Sequence, residues 1–188
     1  MKLHAIVDDA ETARIAAAGG ATVIQLRLKD RPTHEVVERG RPVLAACREA
    51  GVPLVVNDDV EAALALQADG VHLGRSDRGK RRATAAGLIL GVSASSIDEA
   101  IAGERQGATY IGAGPVWSSP TKPDAAAPIG IDGLAAICEA VEVPVVAIGG
   151  IDAATARACL DAGARGVAVV RASRDARAVR EALDAARL

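Results

Sequence analysis

The chain has 188 residues, half of them apolar, with one Trp, one Tyr and no Phe, so its core must be built from small and branched aliphatic side chains. A formal net charge of −2 leaves no basic surface to drive binding to nucleic acid or to an anionic membrane. No apolar run approaches the roughly 20 residues of a membrane span.

The first predicted strand is Leu3-His4-Ala5-Ile6-Val7, which directly follows Met1-Lys2 and is too short and too polar in its flanks for a signal peptide. Cys47, Cys138 and Cys159 are scattered, odd in number and without ligand spacing. They read as free thiols in a reducing compartment, and a cytoplasmic protein is expected. After the first strand one phrase recurs: an Ala-rich helical segment, a Gly, then a short β-branched strand. It occurs at Gly19-Gly20 before Thr22-Val23-Ile24-Gln25-Leu26, at Gly70 before Val71-His72-Leu73, at Gly107 before Ala108-Thr109-Tyr110-Ile111, and at Gly163 before Gly166-Val167-Ala168-Val169-Val170. Gly at a helix C-terminus accepts the left-handed conformation that turns the chain into the next strand. Residues 53–57, 88–93 and 143–148 supply the remaining strands.

About eight βα units without a linker imply a parallel sheet. Periodicity does not separate a barrel from an open doubly wound sheet. No Gly-x-Gly-x-x-Gly fingerprint follows the first strand, and polar residues end nearly every strand, which favours a barrel with its site at the C-terminal rim. The expectation is a single phosphate-binding (β/α)8 TIM barrel over residues 1–188. It is short against the usual length of about 250, so its loops and helices must be trimmed.

Gln25, Arg27 and Lys29 alternate, so they share one side of the second strand's end, where an amide and two cations suit a polyanion. A solvated strand end is the alternative. Asn57-Asp58-Asp59 ends the third strand; Asp59 reads as the cap of the next helix, and Asp58 sits one residue earlier. Asp58 and Asp77, from adjacent strands, match the way Mg²⁺ is held when substrate phosphates complete its shell, although Asp77 also suits a helix cap. The long segment after the sixth strand, Gly112 to Lys122, reads as a phosphate-gripping flap carrying Ser119, Thr121 and Lys122, or as a plain linker. Gly149-Gly150 after the seventh strand, with a helix beginning near Asp152, and the end of the eighth strand at Val170-Arg171 form the recurring barrel phosphate site. That pattern specifies a phosphorylated ligand and no reaction. His4 and His72 fall in strands and His34 in a helix, and a structural role is the commoner outcome for such residues.

Taken together, Ile24-Gln25-Leu26-Arg27-Leu28-Lys29, Val56-Asn57-Asp58, Ala68-Asp69-Gly70-Val71-His72-Leu73-Gly74, Gly91-Val92-Ser93, Gly112-Ala113-Gly114-Pro115, Pro120-Thr121-Lys122 and Ala147-Ile148-Gly149-Gly150-Ile151 resemble the thiamine phosphate synthase family, which includes thiazole tautomerase relatives. The resemblance covers essentially the whole chain. It implies condensation of a hydroxymethylpyrimidine diphosphate with a thiazole phosphate, through loss of pyrophosphate and capture of the resulting pyrimidine cation. It further implies that Gln25, Arg27, Lys29 and Asn57 bind the pyrimidine diphosphate, with Lys122 and Ser93 beside it. Asp58 and Asp77 would hold Mg²⁺. Ser119, Thr121, Gly149, Gly150 and the backbone of Val170 and Arg171 would meet the thiazole phosphate. Arg27, Lys29 and Lys122 would stabilise the leaving group. The expected partners are small phosphorylated substrates, without nucleic acid or membrane; a homodimer is allowed but not required. Arg75, Ser119 and Arg171 stand where the family pattern has Gln, Thr and Ser, and residues 8–18 are shorter than the usual first loop and helix. Leu3 to Asp9 look like the tautomerase branch, whereas Pro115 replaces that branch's catalytic His. Synthase is the first reading; a tautomerase or a non-catalytic phosphate-ligand regulator is the alternative.

Overall fold

The computed structural model describes residues 2–118 and 127–185. Eight parallel strands close into a barrel in chain order: β1 (Leu3–Val7), β2 (Val23–Leu26), β3 (Leu54–Asn57), β4 (Gly70–Leu73), β5 (Ile89–Ala94), β6 (Tyr110–Ala113), β7 (Val145–Ile148) and β8 (Gly166–Val169), with β8 paired back onto β1. Between and after them run α1 (Ala10–Ala18), α2 (Thr33–Ala50), α3 (Val60–Leu66), α4 (Lys80–Ala85), α5 (Ile97–Arg105), α6 (Gly130–Ala140), α7 (Ala156–Asp161) and α8 (Ala176–Asp184). This is the expected (β/α)8 barrel. Its economy lies in the helices: α3 has seven residues and α4 and α7 have six each. Among the described residues no helix is long and apolar enough to cross a membrane.

Strand alternation sorts the side chains into two layers. Leu3, Ala5, Val7, Ile24, Leu26, Leu54, Val56, Val71, Leu73, Leu90 and Val92 point outward and join the main core beneath the helices. The other set points into the barrel. There Ile6, Tyr110, Val146 and Ala168 form a separate small cluster, and the inward polar residues sit beside it. The helical coat therefore carries most of the hydrophobic stabilisation, and the barrel interior is released for polar chemistry.

Two local details depart from the sequence reading. The left-handed residue that ends α3 is Gln67 (φ +54°), not Gly70. Gly70 instead opens β4, where a Cβ would lie 2.5 Å from the Ile89 carbonyl oxygen, so close strand approach is what requires glycine. The helix expected near Asp152 begins at Ala156. Asp152 Oδ1 accepts from the N–H groups of Ala154 (2.9 Å) and Thr155 (3.1 Å), and the Thr155 hydroxyl accepts from the Asp152 N–H at 3.0 Å. These local bonds satisfy the backbone in a turn and delay the helix.

Candidate active site

The C-terminal ends of the strands surround a cavity of about 760 Å³ that reaches down into the barrel. Its lower part is organised around the one tyrosine. The Tyr110 hydroxyl lies 3.0 Å from His72 Nδ1, and His72 Nε2 lies 2.9 Å from Ser93 Oγ. The buried Gln25 side chain also bonds the Tyr110 hydroxyl, while burial pushes the phenol well above its ordinary range and keeps it protonated. The ring needs space that glycine provides: a Cβ on Gly91 would lie 2.3 Å from Tyr110 Cζ and 2.4 Å from His72 Nδ1. The result is a continuous hydrogen-bonded chain, Gln25–Tyr110–His72–Ser93, crossing from β2 to β6, β4 and β5.

His4 packs edge-on against Tyr110, with ring centroids 5.1 Å apart. Its pKa is pushed down to about 3, first by burial and then by the proximity of His72 and the terminal amine, so the imidazole is neutral. Sequence reasoning placed His4 and Tyr110 only as strand residues. The available signal was Gly91 and Gly112 at inward positions: small residues on neighbouring strands leave a volume that something large must fill.

At the mouth, Arg27 and Lys29 line the cavity on the β2 side, and no ion pair among the described residues includes either. Asn57 and Asp58 follow from β3. Asp58 adopts a left-handed backbone (φ +65°), a conformation that Asp tolerates better than most residues. Its N–H donates to the His72 carbonyl at 2.8 Å, which holds this turn against β4. Asp59 caps α3 as expected, accepting from the Ala62 N–H at 2.8 Å. Asp77 is not a helix cap: α4 starts after Gly79, and Asp77 Oδ2 instead accepts from the Gly74 N–H at 2.6 Å. That bond directs its carboxylate back to the strand end.

The Asp77 carboxyl lies beside that of Asp58 and disfavours its ionisation. Although Asp58 stands at an open mouth, displaced water raises its pKa to about 6, with the neighbouring Asp77 carboxyl as the second cause; Arg27 and Asn57 act in the opposite direction. Two neighbouring carboxyl groups can share a cation. Their hard oxygens suit Mg²⁺ when phosphate and water complete the shell. Among the described residues no group of three or more His, Cys, Asp or Glu could form an all-protein metal cage. Arg75 pairs with Glu99, which also accepts from the Ser95 N–H at 2.7 Å.

The opposite wall is formed by the ends of β7 and β8. Gly149 (φ +102°) and Gly150 (φ +68°) line it, and a Cβ on Gly149 would lie 2.6 Å from Pro115 Cα. The segment after β6 is tied to this wall, with Val116 N–H donating to the Ile148 carbonyl (2.8 Å) and Trp117 N–H to Gly149 (3.1 Å). Its returning end is tied too, Ile129 N–H donating to the Pro115 carbonyl at 2.8 Å. Val170 and Arg171 are exposed and complete the rim; Arg171 opens a one-turn 3₁₀ helix, Arg171–Ser173. The Ser173 hydroxyl lies 3.0 Å from the Ile6 carbonyl and 2.9 Å from that of Val169, fixing this turn to β1 and β8. Ser119, Thr121 and Lys122 lie outside the described residues. Of the other residues expected in the site, Gln25, Arg27, Lys29, Asn57, Asp58, Asp77, Ser93, Gly149, Gly150, Val170 and Arg171 all line the one cavity.

Residues 3–173 match the family described as thiamine monophosphate synthase. The chain is 50% identical over 159 residues to thiamine-phosphate synthase of Chloroflexus aurantiacus, covering 84% of this chain and 74% of that one. With the corresponding protein of Pyrococcus furiosus it is 44% identical over 191 residues, covering 98% and 92%. The solved structure of thiamine phosphate pyrophosphorylase from Pyrococcus furiosus aligns with a TM-score of 0.90 at 39% identity, over 100% of this chain and 97% of that one. 3-Hexulose-6-phosphate synthase, at 22% identity and a TM-score of 0.68, shares the fold alone.

Proposed function

Because the chain belongs to the thiamine monophosphate synthase family, and is an enzyme of thiamine phosphate synthesis, we propose a division of labour between the two walls of its cavity. The reaction joins 4-amino-2-methyl-5-hydroxymethylpyrimidine diphosphate to thiazole phosphate, giving thiamine phosphate and pyrophosphate. On the β2–β4 side Arg27, Lys29 and Asn57 grip the diphosphate, with Lys122 from the segment that follows β6 in sequence. Gln25 and Ser93 orient the pyrimidine end. Asp58 and Asp77 hold Mg²⁺, which when bound neutralises charge on the pyrophosphate leaving group. On the β7–β8 side Gly149, Gly150, the backbone of Val170, and Arg171 receive the thiazole phosphate, together with Ser119 and Thr121.

Arg27, Lys29 and Lys122 act where negative charge grows as the carbon–oxygen bond to pyrophosphate breaks. The thiazole nitrogen then donates its lone pair to the pyrimidine carbon. That nitrogen carries no proton, so this sequence of steps needs no general base. Residues 1–188 act as one barrel domain in this reading, which also includes a cytoplasmic location and allows a homodimer.

The observation that carries the proposal is the meeting of two cations, neither in an ion pair among the described residues, with two neighbouring carboxyl groups at one mouth, opposite a glycine-lined wall. The test is to mix both substrates with the protein and measure thiamine phosphate with Mg²⁺ and after chelation. Metal-dependent product supports the reading. Equal product in chelated buffer removes the metal from it, and no product under either condition overturns it.

A further inference from the structure

We infer that Lys80 is a positioning residue for the reaction, its ammonium holding the turn between β4 and α4 in the shape that places the Asp77 carboxylate at the mouth; this rests on the reading above that Asp58 and Asp77 hold Mg²⁺. Lys80 opens α4, and its Nζ donates to two carbonyls of the preceding turn, that of Arg75 at 2.9 Å and that of Asp77 at 2.9 Å. The turn is closed from within by Asp77, whose Oδ2 accepts from the Gly74 N–H at 2.6 Å and whose own N–H donates to the Gly74 carbonyl at 3.3 Å. Lys80 thus bonds the backbone of the very residue whose side chain lines the cavity. A sharp reversal of the chain makes this possible. Gly79 has φ +101°, and a Cβ there would lie 2.8 Å from Val60 Cγ2, so the turn needs glycine.

Neither the helix nor the cavity accounts for this lysine. The first turn of α4 holds no acidic residue, so Lys80, Arg81 and Arg82 place cations where helix N–H groups disfavour them. Arg82 is offset by Glu61. Lys80 is in no ion pair among the described residues and does not line the cavity. Its charge is met by the two carbonyls, through charge-assisted bonds that are stronger than neutral ones. Because the ammonium takes carbonyls and makes no ion pair with the Asp77 carboxylate, it fixes that group without competing with a cation for it. On the far side of the turn the Arg75 side chain pairs with Glu99, which also accepts from the Ser95 N–H at 2.7 Å and the Ser95 hydroxyl at 2.9 Å. The turn is therefore tied to α4 at one side and to the start of α5 at the other. Bonds of this kind, made within the protein, preorganise a charged group for electrostatic catalysis.

The probe is inorganic pyrophosphate, the leaving group of the proposed reaction, titrated by calorimetry with Mg²⁺ and in chelator against wild type, Lys80→Met and Lys80→Arg. Wild type should bind it more tightly with Mg²⁺. Lys80→Met should lose roughly tenfold of the Mg²⁺-dependent affinity, the lower end for hydrogen bonds to a charged group at a partly exposed site. Its binding of pyrophosphate in chelator, and of thiazole phosphate, should stay within about twofold of wild type, because a screened surface charge contributes little by itself. Lys80→Arg, which keeps a cationic donor, should retain part of the Mg²⁺-dependent affinity. Undiminished Mg²⁺-dependent affinity in folded Lys80→Met overturns the inference. An equal loss with and without the metal overturns it too, since Lys80 would then act as a general attractive charge. Should Lys80→Met fail to fold, Lys80→Gln, whose shorter, uncharged amide cannot reach both carbonyls, is judged by the same comparison. Pyrophosphate binding by wild type that is indifferent to Mg²⁺ would overturn the metal reading, and this inference with it.

Discussion

Asp58 and Asp77 approach each other across the ends of β3 and β4, where the Asp77 carboxyl adds to burial in raising the pKa of Asp58 to about 6. Each arrives there for a local reason, Asp58 through a left-handed turn tied to the His72 carbonyl and Asp77 through its bond to the Gly74 N–H. If the pair holds Mg²⁺, Asp58→Asn should reduce turnover by roughly 100-fold or more, since a preorganised electrostatic group is lost. Asn tolerates the same backbone conformation, so the fold should persist. Metal-dependent turnover by the variant equal to that of wild type, with its unfolding midpoint unchanged, would reject the metal assignment.

Arg171 stands exposed on the rim beside Val170, with no ion-pair partner among the described residues. Arg171→Ser should weaken thiazole phosphate binding by about 1.5 kcal/mol, the lower end for a hydrogen bond to a charged group because solvent screens an exposed guanidinium. The difference should shrink as salt rises. Titration showing equal or tighter binding by the variant would mean that Arg171 does not contact the phosphate.

The family resemblance puts Pro115 where the tautomerase branch has its catalytic histidine, and Pro115 has no ionisable group to shuttle a proton. Carboxythiazole phosphate incubated with the protein should therefore isomerise no faster than in buffer. A large acceleration, followed by NMR, would restore the tautomerase reading.

Gly91 is the space into which Tyr110 and His72 fit, and a methyl group there would press on both rings. Gly91→Ala should destabilise the fold by about 1–3 kcal/mol, as overpacking of a filled interior does, and should separate His72 from Tyr110. Denaturant unfolding checks the first effect. A variant as stable as wild type would show that the barrel interior can yield at this point.

His4 binds its proton far more weakly in the folded chain, near pH 3, than the ordinary value of 6.5 that applies when unfolded. The folded state therefore holds fewer protons than the unfolded state between these values. The stability linked to the neutral ring is fully present above about pH 6.5, and falls by up to about 1.4 kcal/mol for each pH unit below it. The difference in unfolding free energy between wild type and His4→Leu, measured at pH 7, 5.5 and 4.5, should shift toward the variant as pH falls. A pH-independent difference would contradict the depressed pKa.

The pattern of strands and helices was legible in the sequence because a period of two and a period of 3.6 leave different marks on an apolar chain. The same alternation identified Gln25, Arg27 and Lys29 as one side of a strand end, and placed Asp58 and Gly149-Gly150 at neighbouring rims. It could state that His4, His72 and Tyr110 were in strands. It could not say that Tyr110 lies between the two histidines, because closure of the barrel sets which inward side chains meet across it. The role of Asp77 was likewise undecided, since a carboxylate four residues past a strand suits a cap or a ligand until the start of α4 is known. Ser119, Thr121 and Lys122 lie outside the described residues, and their roles stay a proposal. What the sequence by itself determined was therefore the order of elements and the chemical character of each strand end, both local consequences of side-chain periodicity. Only the tertiary structure decided the encounters between distant strands, Asp58 with Asp77 and Tyr110 with His4 and His72, because these depend on closure and register, to which no single segment of the chain is sensitive.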